Sequence, residues 1–194
     1  ASVLANPRVT LYCLDLQKRE AIFLQADSDI RLEDRPFYYQ GQFEHAQRAI
    51  VLSFEKFHAL AEARGDAFER AVLIHSVGRC GSTLLSKMFG NLEKCLSLSE
   101  PDVYTQLTLP TTDHSNRVPL LRSTTRMYYQ PRDGERPTHL VLKFRSFCVE
   151  LAAAMQQATP SAKSLFLYRD VDRVVRSGMR VFRYRGAPLW WLDS

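Results

Sequence analysis

Apolar and polar positions along the chain change period several times, and the changes mark alternating strands and helices. Ala71, Val72, Leu73 and Ile74 form a short unbroken apolar run, the pattern of an interior parallel strand covered on both faces. Leu84, Leu85, Met88 and Phe89 follow at helical spacing, so the strand at 71–76 is expected to lead into a helix over 82–91. The same logic predicts strands over 95–99, 139–145 and 164–168, helices over 147–158 and 170–184, and helical material from 102 to 129. This alternation predicts a three-layer α/β fold: a parallel sheet flanked by helices, with right-handed crossovers and ligands at the carboxyl ends of the strands. Ahead of it, Val9 to Leu24 alternates as a hairpin turning at Gln17 to Glu20, although that turn has neither Gly nor Asn. Phe43 to Arg64 reads as a helix stopped by Gly65. The expected organisation is an N-terminal extension over 1–69, a small hairpin plus helix, packed on a core over 70–194.

The turn out of the 71–76 strand carries the first candidate chemistry. Ser76 to Thr83, SVGRCGST, holds two glycines, an arginine and hydroxyl residues. Gly78 and Gly81 let the backbone curl so that successive N–H groups converge, and the following helix adds the positive end of its dipole, so a phosphate or sulfate is the expected guest. A nucleotide triphosphatase loop would need Gly five residues before Gly81 and Lys after it, but Ser76 and Ser82 stand there. The lysine that would reach the β- and γ-phosphates is missing, and Arg79 lies inside the loop instead.

A second segment pairs with the first. Leu165, Phe166, Leu167 and Tyr168 read as an interior strand, Arg169-Asp170 follows, and Ser177 lies eight residues after Arg169. A guanidinium there can contact a phosphate bidentately while the hydroxyl donates from the next helix. The alternative is an arginine paired with its neighbouring aspartate and a serine facing solvent. Arg173, Arg176 and Arg180 continue from Arg169 at helical steps, with Val174, Val175, Val181 and Phe182 on the other side. That is an amphipathic helix with a solvated basic face, so only Arg169 and Ser177 are assigned to a ligand.

Together the two segments resemble the sulfotransferases that use 3′-phosphoadenosine 5′-phosphosulfate (PAPS). Gly-Arg-Cys-Gly-Ser-Thr is similar to the family's 5′-phosphosulfate loop: after a strand, a basic residue, a variable one, glycine and two hydroxyl residues. Leu165 to Ser177 is similar to its 3′-phosphate motif. The resemblance covers about residues 70 to 185 and is nearest in motif style to tyrosylprotein, carbohydrate and bacterial members. It implies a P-loop NTPase-like sulfotransferase fold, PAPS as co-substrate without a metal, and transfer of a sulfuryl group to an acceptor hydroxyl. Gly78, Arg79, Cys80, Gly81, Ser82, Thr83, Arg169 and Ser177 would then bind the nucleotide. Glu100, in Leu96 to Pro101, matches the position of the catalytic base in some members; otherwise it is a carboxylate favoured at a helix N-terminus, with Pro101 in the first turn. Lys143 matches a lysine that, with Arg79, would stabilise transition-state charge; otherwise it is an ordinary lysine at a strand end. Family members usually continue past the 3′-phosphate helix with a segment that closes over the nucleotide. Here Trp190-Trp191 is followed closely by Ser194, so that closure and part of the acceptor pocket are expected to be missing. Two other readings stand beside the enzyme: an inactive PAPS-fold binding module, and an atypical P-loop kinase, which the missing lysine disfavours.

Composition allows this without demanding it. With 194 residues, 45% of them hydrophobic, the chain can bury one sizeable core. A net charge of +5 suits a polyanionic cofactor or an acidic acceptor, and would equally suit weak nucleic-acid binding. With no RNA-binding aromatic motif, zinc-finger spacing or lysine-rich tail, no nucleic-acid partner is expected. There is no membrane-spanning apolar run and no signal-peptide pattern. A cytoplasmic protein is expected, with the Golgi lumen or a domain of a larger protein as the alternative. Cys13, Cys80, Cys95 and Cys148 show neither metal-ligand spacing nor a disulfide framework, so reduced thiols are expected. Cys80, beside Arg79 at a helix N-terminus, is expected to be sensitive to alkylation rather than to act as a nucleophile. The acceptor stays open between tyrosine, sugar, steroid, small alcohol and carrier-bound hydroxyacyl group, as does the oligomeric state.

Overall fold

The computed structural model describes residues 3, 6–27, 30–65, 68–109, 114–129 and 137–184, with 114–115 and 182–184 described by backbone alone. The alternating N-terminal stretch forms β1 (Val9–Asp15) and β2 (Glu20–Ala26), paired antiparallel from Asp15 opposite Glu20. The turn closes without Gly or Asn: Arg19 takes the left-handed conformation at φ 57°, and Asp15 Oδ1 accepts from the N–H groups of Gln17 and Lys18 at 3.1 and 2.9 Å.

The segment expected as one helix over Phe43 to Arg64 divides into three elements. α1 (Tyr38–Glu44) ends early, β3 (Ala46–Ser53) pairs antiparallel with β2, and α2 (Phe54–Glu62) follows. In β3 the half-buried Ile50 and Leu52 alternate with exposed Ala49, Val51 and Ser53, a period of two, although Ile50 also stands at helical spacing from Phe43, Phe54 and Phe57. The open edge of β2 decides between them by supplying ladder hydrogen bonds. Ser53 then starts α2, its Oγ accepting from the Lys56 N–H at 3.4 Å. Gly65, at φ 72°, closes the end, its N–H bonded to Glu62 O at 3.0 Å.

The core follows the expected alternation. Its elements are β4 (Ala71–Ser76), α3 (Ser82–Gly90), β5 (Cys95–Ser99), α4 (Val103–Gln106), α5 (His114–Tyr128), β6 (His139–Lys143), α6 (Ala152–Ala158), β7 (Lys163–Leu167) and α7 (Val171–Tyr184). A 3₁₀ turn over Ser146–Leu151 leads into α6, where one helix was expected. The strands order as β5-β6-β4-β7 with every neighbouring pair parallel. This is an α/β architecture, a four-stranded parallel sheet flanked by helices.

A chain of rings joins this sheet to the extension. Phe144 meets Tyr104 at 4.8 Å between centroids, Tyr104 meets Tyr128 at 6.0 Å, and Tyr128 meets Tyr38 of α1 at 6.0 Å. Their polar ends are satisfied: Tyr104 Oη lies 3.0 Å from Thr125 Oγ1, and Tyr128 Oη donates to Leu11 O at 3.0 Å. Buried residues of both sheets belong to one apolar cluster, from Leu11 and Phe23 to Leu73, Leu98 and Leu142. The extension is therefore part of the same core. On the far side β7 and α7 are thinly covered: Phe166, Val171 and Val175 are exposed, as are Arg173, Arg176 and Arg180, while Val174 and Val181 are half-buried. The side chain of Phe182 and residues 185–194, with Trp190-Trp191, lie outside the described residues.

His75 ends the ring chain, 5.0 Å from Phe144, buried and with no hydrogen-bond partner for either ring nitrogen among the described residues. Burial lowers its pKa from 6.5. The unfolded chain therefore binds the extra proton first, and stability is lost as pH falls below about 6.5. His58, whose pKa burial also lowers, acts in the same direction. Urea midpoints at about pH 7.5 and about pH 5.5 are expected to differ less in His75→Phe than in the native chain. Equal pH dependence would remove His75 from this account.

Candidate functional site

The loop after β4 is shaped by its two ends. Val77 N–H donates to Leu167 O at 3.0 Å, so β7 accompanies the chain into the loop. At the other end Gly81 begins α3 at φ 90°, and no side chain caps the first turn. Its N–H groups are thus available to a ligand. A Cβ added at Gly78 or Gly81 would meet nothing within 4 Å, so the space over the loop is open.

The two motifs meet here. Arg169, just past β7, donates from Nη1 to Arg79 O at 3.0 Å, and Arg79 donates from Nε to Ser177 Oγ on α7 at 3.1 Å. Arg169 thus braces a loop carbonyl, and Asp170 serves α7 instead, its Oδ1 accepting from the Asp172 N–H at 3.1 Å. The guanidinium of Arg79 is turned toward the β7 side of the loop.

On the other side of β4, across β6, Glu100 and Lys143 form the second half. Glu100 N–H donates to Lys143 O at 2.7 Å, extending the β5–β6 ladder one step beyond β5 and setting the two side chains together. Lys143 Nζ donates to Glu100 Oε1. Arg145 Nε stands 3.6 Å from Glu100 Oε2, its Nη1 3.2 Å from Asp102 Oδ1, and its guanidinium 4.4 Å above the Tyr39 ring. Glu100 is therefore held by two cations and does not cap α4, whose N-cap is Asp102. Arg79 and Glu100 are two of the four non-glycine residues with positive φ among those described, at 61° and 58°. Such a conformation costs about 1–2 kcal/mol per residue, and strain of this kind gathers at functional sites.

One cavity of about 490 Å³ is lined by Gly78, Arg79, Cys80, Gly81, Ser82 and Thr83, and also by Glu100, Lys143, Arg169 and Ser177. Every residue assigned to the nucleotide or to chemistry is thus brought together. Phe37 and Ser146 line it too, and sequence reasoning missed both, along with Arg145. Arg145 had a signal, since two residues beyond Lys143 in an extended chain lies on the same side. Phe37 had none, because the fold of the extension alone brings it here. The cysteines of the site and core are free thiols; burial pushes Cys13 and Cys95 up and Cys148 up to about 11. Among the described residues no helix is long and apolar enough to cross a membrane. Compared with family models, curated proteins and solved structures, the chain matches none of them.

Proposed function

We propose that the chain is a sulfotransferase that moves a sulfuryl group from PAPS to an acceptor hydroxyl, on a P-loop-like sulfotransferase fold. The observation that carries this reading is the single cavity onto which the loop after β4, the Arg169–Ser177 pair and the Glu100–Lys143 pair all converge. The donor set fits the nucleotide's charges. Open N–H groups of the loop and of α3 suit the 5′-phosphosulfate, while Arg169, Arg79 and Ser177 on the β7 side suit the 3′-phosphate. The strand order sets Glu100 and Lys143 on the opposite side of β4, where an acceptor would meet the sulfuryl group.

The step balances simply. The acceptor oxygen attacks sulfur as the bond from sulfur to the phosphate oxygen opens, the acceptor proton passes to Glu100, and the electron pair of the broken bond stays on the phosphate. Lys143 and the loop N–H groups stabilise that charge. Before substrates bind, Lys143 holds Glu100 Oε1. An anionic oxygen beside Lys143 draws the ammonium away and frees Oε1 for the acceptor hydroxyl.

Calorimetric titration with 3′-phosphoadenosine 5′-phosphate and with ATP·Mg²⁺ tests the reading. Tighter binding of the former is expected, and preference for ATP·Mg²⁺ would favour the kinase reading instead. Arg169→Ala is expected to weaken the 3′-phosphorylated nucleotide by about 10- to 150-fold, the worth of one charged hydrogen-bonding contact. Unchanged affinity would remove Arg169 from the site.

A further inference from the structure

A second cavity, of about 230 Å³, opens between α3 and β5, and the reading above leaves it without a role. Three walls build it: the turn over 31–36 brings Arg31, Glu33, Asp34, Arg35 and Pro36, and two facing stripes come from α3 and β5. Thr83, Ser86, Lys87 and Gly90 recur at i, i+3, i+4 and i+7, the side of a helix that ordinarily meets its sheet with apolar groups. Cys95, Ser97 and Ser99 recur at every second position on one face of β5. Ser86 and Ser97 satisfy each other, with their Oγ atoms 2.8 Å apart and Ser97 Oγ donating to Ser86 O at 2.7 Å. Ser99 does not share in this: it is only 7% exposed, lines the cavity, and its Oγ has no partner among the described residues. A buried hydroxyl without a partner calls for one.

The walls select among acceptors. Among the described residues that line it, charged and hydroxyl side chains predominate and none is aromatic or branched aliphatic, whereas a phenol or steroid would need apolar surface to exchange for water. The cavity also adjoins the transfer site. Thr83 lines both cavities, Ser99 directly precedes Glu100, and the chain passes from Pro36 in one wall to Phe37 in the other.

We infer that this cavity seats the acceptor and that the acceptor is a polyhydroxylated, carbohydrate-type molecule. One sugar unit hydrogen-bonds to Ser99 and its polar neighbours, and an adjoining hydroxyl is presented to Glu100. The seat stands on the cavity alone, and the transfer to the seated sugar rests on the sulfotransferase reading.

Two readouts separate them. Titration of the full chain with maltose, followed by ¹H–¹⁵N NMR, is expected to give saturable shifts at the amides of Thr83, Ser97 and Ser99, and N-acetyltyrosinamide is expected to give none there. Ser99→Val, which replaces the hydroxyl with methyl groups and adds bulk, is expected to weaken maltose by about 2- to 13-fold or more, the worth of one neutral hydrogen bond. Ser99→Ala, which cannot crowd the cavity, is expected to do the same. No shift at these amides, equal maltose affinity in both variants, or shifts produced by N-acetyltyrosinamide would overturn the seat. Transfer from labelled PAPS is then measured with the same two probes. Maltose that binds and is never sulfated would overturn the transferase reading and leave the seat. Transfer to N-acetyltyrosinamide without maltose binding would do the reverse.

Discussion

Glu100→Gln is expected to lower sulfuryl transfer by about 10²- to 10⁴-fold, the usual worth of a positioned general base. Affinity for 3′-phosphoadenosine 5′-phosphate should stay within about twofold of the native value. The separation follows from where Glu100 sits. Its carboxylate meets Lys143 and Arg145 on the β5–β6 side of the loop, while Arg169 and Ser177 lie on the β7 side. Glutamine keeps an oxygen for Lys143 but cannot accept the acceptor's proton, so the variant removes chemistry and spares the phosphate contacts. Labelled PAPS with the better acceptor among maltose, N-acetyltyrosinamide and n-octanol reads the rate, and calorimetry reads the nucleotide. A native rate would place the base elsewhere. A matched loss of rate and nucleotide affinity would make Glu100 a structural residue of the loop.

What could be read in advance divides along a physical line. Gly78, Gly81 and Arg79 were legible because a turn between an apolar strand and a helix is dictated locally, by residues a few positions apart. Glu100, Lys143 and Arg169 were legible at one remove: each lies at or just past the carboxyl end of an expected strand, and parallel strands bring those ends to one edge of the sheet. The failure at β3 has a different origin. Ile50 fits two periods at once, with Leu52 at strand spacing and with Phe43, Phe54 and Phe57 at helical spacing, and the choice is made by the edge of β2, which is remote in the chain. Phe37 and Tyr39 reach the site only because the extension shares the core through Tyr38 and Tyr128. The serines at 86, 97 and 99 likewise carry no message in a linear reading. They become a polar seam only when α3 lies over β5.

That division also locates the strain. Arg79 and Glu100 are each held at positive φ by contacts from elsewhere: Arg169 to the carbonyl of one, and the Lys143 carbonyl to the N–H of the other. The two halves of the site are thus held in place by the parallel sheet, and loosening the sheet edge would loosen both.

The Lys143–Glu100 pair should therefore reveal itself in stability as well as in turnover, and the two single variants should differ. Glu100→Ala leaves an ammonium whose side chain is only 5% exposed with its carboxylate removed, which typically costs about 3–5 kcal/mol. Lys143→Met leaves Glu100 16% exposed with Arg145 still 3.6 Å from Oε2, so its cost should be smaller, about 1–2 kcal/mol. Joining the changes removes the stranded charge, because methionine fills the lysine's apolar path without needing a partner. The double variant Glu100→Ala/Lys143→Met is thus expected to be more stable than Glu100→Ala alone, while both are expected to lose transfer. Urea unfolding followed by circular dichroism gives the four values of the cycle. Were Glu100→Ala as stable as the native chain, the two charges would not be a buried pair in solution. Were Lys143→Met the more damaged of the two, packing of the lysine stem would outweigh the charge it carries.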